Sequence, residues 1–250
     1  MIDYIKILFH FQGWLFLLLL SLLEIILGID NVIFISIITD QLKFKHLKSR
    51  ARRMGLTLAL VIRFIMLGLL SFLVHLVAPI YKPWFGDFNY EDLVLLAGGI
   101  FLIYKSTIEM HRNITNSGVN HKMVRISFGH IIFQIVLIDF VFSFDSVISA
   151  IGMTNGIEDQ LNANPIIIVY LSVLISMLVM IKFSGVISDF IQKNPTIKTI
   201  ALCFLLMIGV FLVAESFGHS IPKGYVYFGF AFSLLVEIIN MRIRKNQPKT

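Results

Sequence analysis

The sequence predicts an all-α polytopic membrane protein of about seven transmembrane helices, organised as a 3+3 inverted repeat plus one additional helix. Three observations carry this expectation. Apolar stretches are long enough to cross a bilayer, basic residues fall almost entirely on one side of them, and acidic motifs recur at equal spacing in two of them.

Hydrophobic residues make up 57% of the 250-residue chain. Mean hydropathy is +0.86, well above that of a soluble domain. A helix needs about 20 apolar residues to span the hydrocarbon. Seven stretches qualify: Gly13–Thr39, Met54–Ile80, Asp92–Met110, Ile126–Gly152, Ile166–Ile187, Thr199–Phe217 and Tyr225–Met241. The third is the least apolar, clean only from Leu93 to Tyr104. Pro79, Pro83, Pro165, Pro195, Pro222 and Pro248 all fall at span ends or between spans, as helix-breaking residues should. Residues 1–250 thus read as a single membrane domain. No small-residue cleavage site follows the first apolar run, so a retained helix is expected there rather than a signal peptide. The single cysteine, Cys203, allows no intrachain disulfide and reads as a packed apolar side chain.

Orientation follows from the basic residues. Lys43, Lys45, Lys48, Arg50, Arg52 and Arg53 lie between spans one and two, and Lys105, Arg112, Lys122 and Arg125 between three and four. Lys182, Lys193 and Lys198 surround the fifth connection, and Arg242, Arg244, Lys245 and Lys249 follow span seven. The opposite side holds only Lys6, Lys82 and Lys223, and Arg63 lies inside span two. The asymmetry places the N-terminus outside and the C-terminus in the cytoplasm. It also accounts for the net charge of +6 without a nucleic-acid partner. Trp14, Tyr81, Trp84, Tyr90 and Tyr225 fall at the outer ends, where an aromatic belt belongs.

An internal repeat is visible. Span one reads Glu24-x5-Asp30-Asn31-Val32-Ile33, and span four reads Asp139-x5-Asp145-Ser146-Val147-Ile148. "VIRF" (Val61–Phe64) parallels "MIKF" (Met180–Phe183), and "GIFLIYKS" (Gly99–Ser106) parallels "GVFLVAES" (Gly209–Ser216). Repeat one covers about 13–110, repeat two about 126–217, and the helix at about 225–241 lies outside both. An odd number of helices per copy inverts the second copy, an architecture whose sites lie near the midplane.

Glu24, Asp30, Asp139 and Asp145 lie deep in their spans, whereas Glu215, Glu237 and Glu109 lie near ends. A charge at the bilayer centre costs at least about 2.5–3.5 kcal/mol. Four acids against one deep base, Arg63, call for a cation or protons. At about 100° per residue, Glu24 shares a helix face with Asn31, and Asp139 with Ser146, while Asp30 and Asp145 stand about 120° away. Gly28 permits a helix break before Asp30. Carboxylates, an amide oxygen and a hydroxyl are hard donors that suit Mg²⁺, Ca²⁺ or Mn²⁺ rather than Zn²⁺ or Cu⁺. His75 and His130 read as packing polar groups, and Met153 as an accessory sulfur that would favour Mn²⁺.

At these residues the sequence resembles the TerC family (tellurium-resistance protein C) of integral membrane proteins. "EIILGIDNVIFIS", "GGIFLIYKS", "DFVFSFDSVISAIGMT" and "IGVFLVAESFG" followed by "IPKGYVYFGFAFSLLVEIIN" resemble its signature segments. The resemblance implies about seven membrane helices, a relation to the LysE transporters, and a bacterial inner-membrane location. It further implies manganese export, tellurite resistance in some members, and metal loading of exported enzymes alongside secretion in others. The implied metal ligands are Asp30, Asn31, Asp139, Asp145 and Ser146, with Glu24 close by. Cytoplasmic regulatory domains found in some relatives are not expected within these 250 residues.

The leading expectation is a secondary transporter exporting a divalent cation, Mn²⁺ or else Ca²⁺, with no prosthetic group and with proton exchange as the coupling. The two three-helix halves would rock about the site, and Arg63 would stand in for the cation when the site is empty. A membrane scaffold for a secretory or stress-response complex is the alternative, with Lys43–Arg53 as a docking surface. An intramembrane aspartyl enzyme is a weaker one, since no Gly-x-Gly-Asp or HExxH motif occurs. The expected partners are lipid and a divalent cation; a homodimer or a secretion-machinery partner stays open.

Overall fold

A computed structural model describes residues 10–69, 90–115, 127–143, 166–219 and 222–246. The described chain is helical, without a strand. Its helices are α1 (Phe11–Leu27), α2 (Ile29–Asp40), α3 (Lys45–Gly68), α4 (Tyr90–Thr115), α5 (Phe128–Ser143), α6 (Ile166–Lys193), α7 (Pro195–Ser216) and α8 (Lys223–Asn246). Five described stretches are long and apolar enough to cross a membrane: Phe11–Asp40, Asp92–Thr115, Ile166–Lys193, Pro195–Ser216 and Gly224–Lys245. α5 is a shorter apolar helix. The outer part of predicted span two and the end of span four, with His75 and Met153, lie outside the described residues.

Several helices run further than their apolar stretches. α3 begins at Lys45 rather than Met54, so the basic residues from Lys45 to Arg53 are helical and not a loop. α4 reaches Thr115, α6 Lys193 and α8 Asn246. Lys, Arg, Ala and Met are good helix formers, and no proline interrupts these extensions. α7 stops at Gly218, whose φ of +80° suits glycine. There the N–H of His219 bonds the Ala214 carbonyl and that of Gly218 the Glu215 carbonyl, a Schellman ending.

The helices form two compact units. The first takes its described residues from Met1–Ala78 and Arg125–Ser188, and the second from Pro79–Val124 and Asp189–Thr250. Each unit therefore draws helices from both sequence repeats. Packing units and sequence halves are different partitions of the chain.

In the first unit, pairs of contacts fix the sense of each helix. Glu24 meets Arg63 and Asp40 meets Lys48, so α1–α2 and α3 are antiparallel. Leu17 and Leu20 pack with Ile168, and Gly28 lies against Met180, so α1–α2 and α6 run parallel. Gly55 faces Ile135 and Arg63 faces Asp139, so α3 and α5 are parallel as well. Two of these crossings fall at glycine. A Cβ at Gly28 would collide with Met180 Sδ, and one at Gly55 would sit 2.7 Å from Ile135 Cγ2.

In the second unit α4 and α7 pack backbone to backbone. A Cβ at Gly99 would lie 2.7 Å from the Gly209 carbonyl oxygen, and one at Gly209 2.9 Å from that of Gly99. Gly99 also abuts Val213, and Gly209 abuts Ile103. Exchanging each residue for its repeat counterpart, 99 for 209 and 103 for 213, turns one contact into the other. The interface is isologous within a single chain. Close approach through glycine is how helices associate where no hydrophobic effect separates them from lipid. α8 joins α7 through Phe204, stacked on Phe230 at 4.1 Å, and through Thr196, which donates to Glu237 at 2.6 Å. Cys203, read from the sequence as packed, is exposed on α7 instead, on a helix whose Val210 is also 49% exposed.

Because rigid backbone faces both glycines, replacement by a larger residue forces α4 and α7 apart. Gly209→Val is expected to cost about 1–3 kcal/mol, seen as an earlier thermal transition in detergent. Gly224→Val, where an added Cβ meets nothing within 4 Å, serves as the neutral control.

Candidate functional site

The buried polar residues of the first unit converge on Arg63. Its side chain, on the second turn from the end of α3, is 2% exposed. Nη1 lies 2.8 Å from Glu24 Oε2 of α1, and Nη2 lies 3.8 Å from Asp139 Oδ1 of α5. The same Asp139 oxygen accepts a hydrogen bond from Asn31 Nδ2 of α2 at 3.2 Å. Its other oxygen accepts from Ser143 Oγ, one turn on in α5, at 3.1 Å. Glu24, Asn31 and Asp139 are each 2–3% exposed. Two carboxylates, one guanidinium, one amide and one hydroxyl thus share a dry site among apolar helices.

Local sequence explains the convergence. Glu24 and Asn31 are seven residues apart, so an α-helical run stacks them on one face. The kink between them is slight. Gly28 (φ −90°, ψ −3°) ends α1, yet its N–H still bonds the Glu24 carbonyl, and Val32 N–H bonds the Gly28 carbonyl at 3.2 Å. The break that Gly28 permits is a bend and not an unwound segment. Ser143 lies four residues after Asp139, within reach on the same helix face.

α2 is buried on every side: each residue from Asp30 to Thr39 is buried. Its hydroxyls are satisfied internally, Ser36 Oγ donating to the Val32 carbonyl at 2.6 Å and Thr39 Oγ1 to that of Ile35 at 2.7 Å. Asp30 is 4% exposed in the first turn of this helix, off the face that carries Glu24 and Asn31. Asp145 and Ser146 lie outside the described residues. Among the described residues, no three acidic, histidine or cysteine side chains are gathered for a metal ion as they stand. Arg63 occupies the space between the two acids.

Sequence reasoning passed over Ser143. A serine within an apolar run reads as a packing residue, and only its four-residue offset from Asp139 singles it out. His130 is paired with Gln134 along α5, Nε2 to Nε2 at 2.6 Å. In the second half of α8, Glu237 is buried rather than free in the interface, accepting from Thr196 and, at 2.5 Å, from Arg244. Hydrogen bonds to a buried carboxylate are worth about 1.5–3 kcal/mol each. Asn31→Ala and Ser143→Ala are each expected to lower stability by that order. Combined, they should depart from the sum of the two, because both donors act on the one Asp139 carboxylate. Thermal unfolding of the single and double variants in one detergent closes that cycle.

The family model described as "Integral membrane protein TerC family" matches residues 9–250. The UPF0053 inner membrane protein YoaE of Escherichia coli K12 is 42% identical over 235 residues, 93% of this chain but 43% of that protein. A UPF0053 protein of Haemophilus influenzae is 39% identical, covering 94% of this chain and 95% of its own length. The UPF0053 inner membrane protein YgdQ of Escherichia coli K12 is 38% identical, covering 95% and 96%. The chain thus spans less than half of YoaE and nearly all of the other two. No solved structure matches it. Its apolar helices and these relatives make it a multi-pass inner-membrane protein, and the chain belongs to the TerC family of integral membrane proteins.

Proposed function

We propose that the chain is a secondary transporter that exports a divalent cation, Mn²⁺ foremost and Ca²⁺ next, by alternating access about the buried acids. The observation that carries this reading is the pair of carboxylates, Glu24 and Asp139, held on either side of one guanidinium at 2.8 and 3.8 Å. Buried acids in a membrane are costly and are kept where a cation passes. Asn31 Oδ1 accepts no hydrogen bond among the described residues, which leaves a hard oxygen available beside Asp139. Two carboxylates and an amide oxygen suit Mn²⁺, Ca²⁺ or Mg²⁺. Asp30, with Asp145 and Ser146 from the second motif, would complete the coordination during transport. The choice of Mn²⁺ and the outward direction rest on the family resemblance. Protons are the proposed counter-ion, since intramembrane carboxylates serve as proton relays as well as cation sites.

Calorimetry on purified protein in detergent, with Mn²⁺, Ca²⁺, Mg²⁺ and Zn²⁺ in turn, tests the reading. Saturable Mn²⁺ binding is expected for wild type, with no detectable binding for Asp139→Asn or for Asp30→Asn combined with Asp145→Asn. In liposomes the same variants should lose Mn²⁺ flux. Unaltered flux in Asp139→Asn would remove the site from the transport path.

A further inference from the structure

A cation site needs carboxylates; it does not need a resident base in their midst. The geometry points to Arg63 as a tethered cation that must swing away from Glu24 and Asp139 for a divalent ion to bind, and that thereby excludes monovalent ions. This rests on the transport reading above and names the selectivity of that site.

The charge balance favours one class of ion. With both acids ionised and Arg63 in place, the trio carries one net negative charge. A monovalent ion that displaced the guanidinium would leave that charge unchanged, at the cost of breaking a buried ion pair. A divalent ion neutralises the acids completely. The exchange therefore gains no charge compensation with Na⁺ or K⁺, whereas a divalent ion gains an attraction to the acids that low local dielectric strengthens.

The geometry fits a residue able to leave. Of the two ion contacts one is close and the other is at 3.8 Å, so among the described residues the guanidinium is held by a single hydrogen bond, from Nη1 to Glu24. Arg63 Nε makes no hydrogen bond among the described residues. Asp139 keeps two further donors, Asn31 and Ser143, which hold its carboxylate in position when Arg63 departs.

The test is Mn²⁺ calorimetry on the full chain in detergent, with wild type and Arg63→Gln compared in choline, sodium and potassium chloride at equal ionic strength. Wild type is expected to bind Mn²⁺ equally in all three salts. Arg63→Gln should bind on the order of tenfold tighter in choline, and lose that gain in sodium or potassium. If wild type binds Mn²⁺ and Arg63→Gln binds it no tighter, the tethered-cation role is overturned while the transport reading stands. If wild type binds no divalent ion, both fall. A second measurement needs no variant. Modification of wild-type Arg63 by an arginine-directed dicarbonyl, read by mass spectrometry, should accelerate several-fold when Mn²⁺ is added, against the exposed Arg50 and Arg53 as references. Unchanged Arg63 reactivity in protein that binds Mn²⁺ overturns the role.

Discussion

The ion pair between Arg63 and Glu24 is the constraint from which the first unit follows. Its two charges lie 2.8 Å apart and are almost wholly withdrawn from the surface. Each charge is the other's close partner in an apolar surround, which ties α1 to α3. Asp139 extends the obligation to α5, and through Asn31 back to α2. A buried ion pair adds little net stability over well-packed apolar side chains, but breaking one strands the other charge at a cost of several kcal/mol. The cluster therefore acts mainly by specificity. Among the many ways apolar helices could associate in lipid, it selects the one that brings these residues together.

Apolar packing then adapts to what the charges demand. Polar residues on α2 can sit at the centre only if neighbours cover the helix on every side. That requires close crossings, and the crossings fall at glycine. Gly28 lets Met180 of α6 lie where a side chain would stand, and Gly55 does the same for Ile135 of α5. The serines of α6 contribute in the same way. Ser172, Ser176 and Ser184 are buried and donate to carbonyls of their own helix, so they are small and leave no polar group unsatisfied. Charge chooses the neighbours, and small residues let them approach.

Much of this was legible in the sequence. Apolar length located the helices, and the seven-residue spacing put Glu24 and Asn31 on one face. Arg63 stood out as the lone base deep in a span. Other features were hidden for physical reasons. Helix ends extend past the apolar stretches because charged residues signal water, and water does not end a helix; the Lys45–Arg53 segment continues α3 with no change of backbone. Ser143 was overlooked because a hydroxyl has no signature until its acceptor is known. The exposure of Cys203 is hidden because a chain composed mostly of apolar residues gives little contrast between a face packed on protein and one turned outward. The repeat shows which helices correspond, but correspondence does not dictate contact. Hence the packing units cut across it.

The repeat is kept faithfully in one place and broken in another. Between α4 and α7, residues that match in sequence meet each other, and the contact maps onto itself when the copies are exchanged. In the first unit the counterparts have parted. Arg63 is matched by Lys182 of "MIKF", yet Arg63 is enclosed by two acids while Lys182 is exposed. The acids themselves differ too: Glu24 takes the close contact with the guanidinium, and its counterpart Asp139 takes the long one together with two neutral donors. Exact symmetry would require two bases to serve the same two carboxylates. That would turn the cluster from net negative to neutral and remove its attraction for any cation. A single base between the two acids leaves one negative charge in reserve, and that reserve depends on Arg63 having no second base beside it in the cluster.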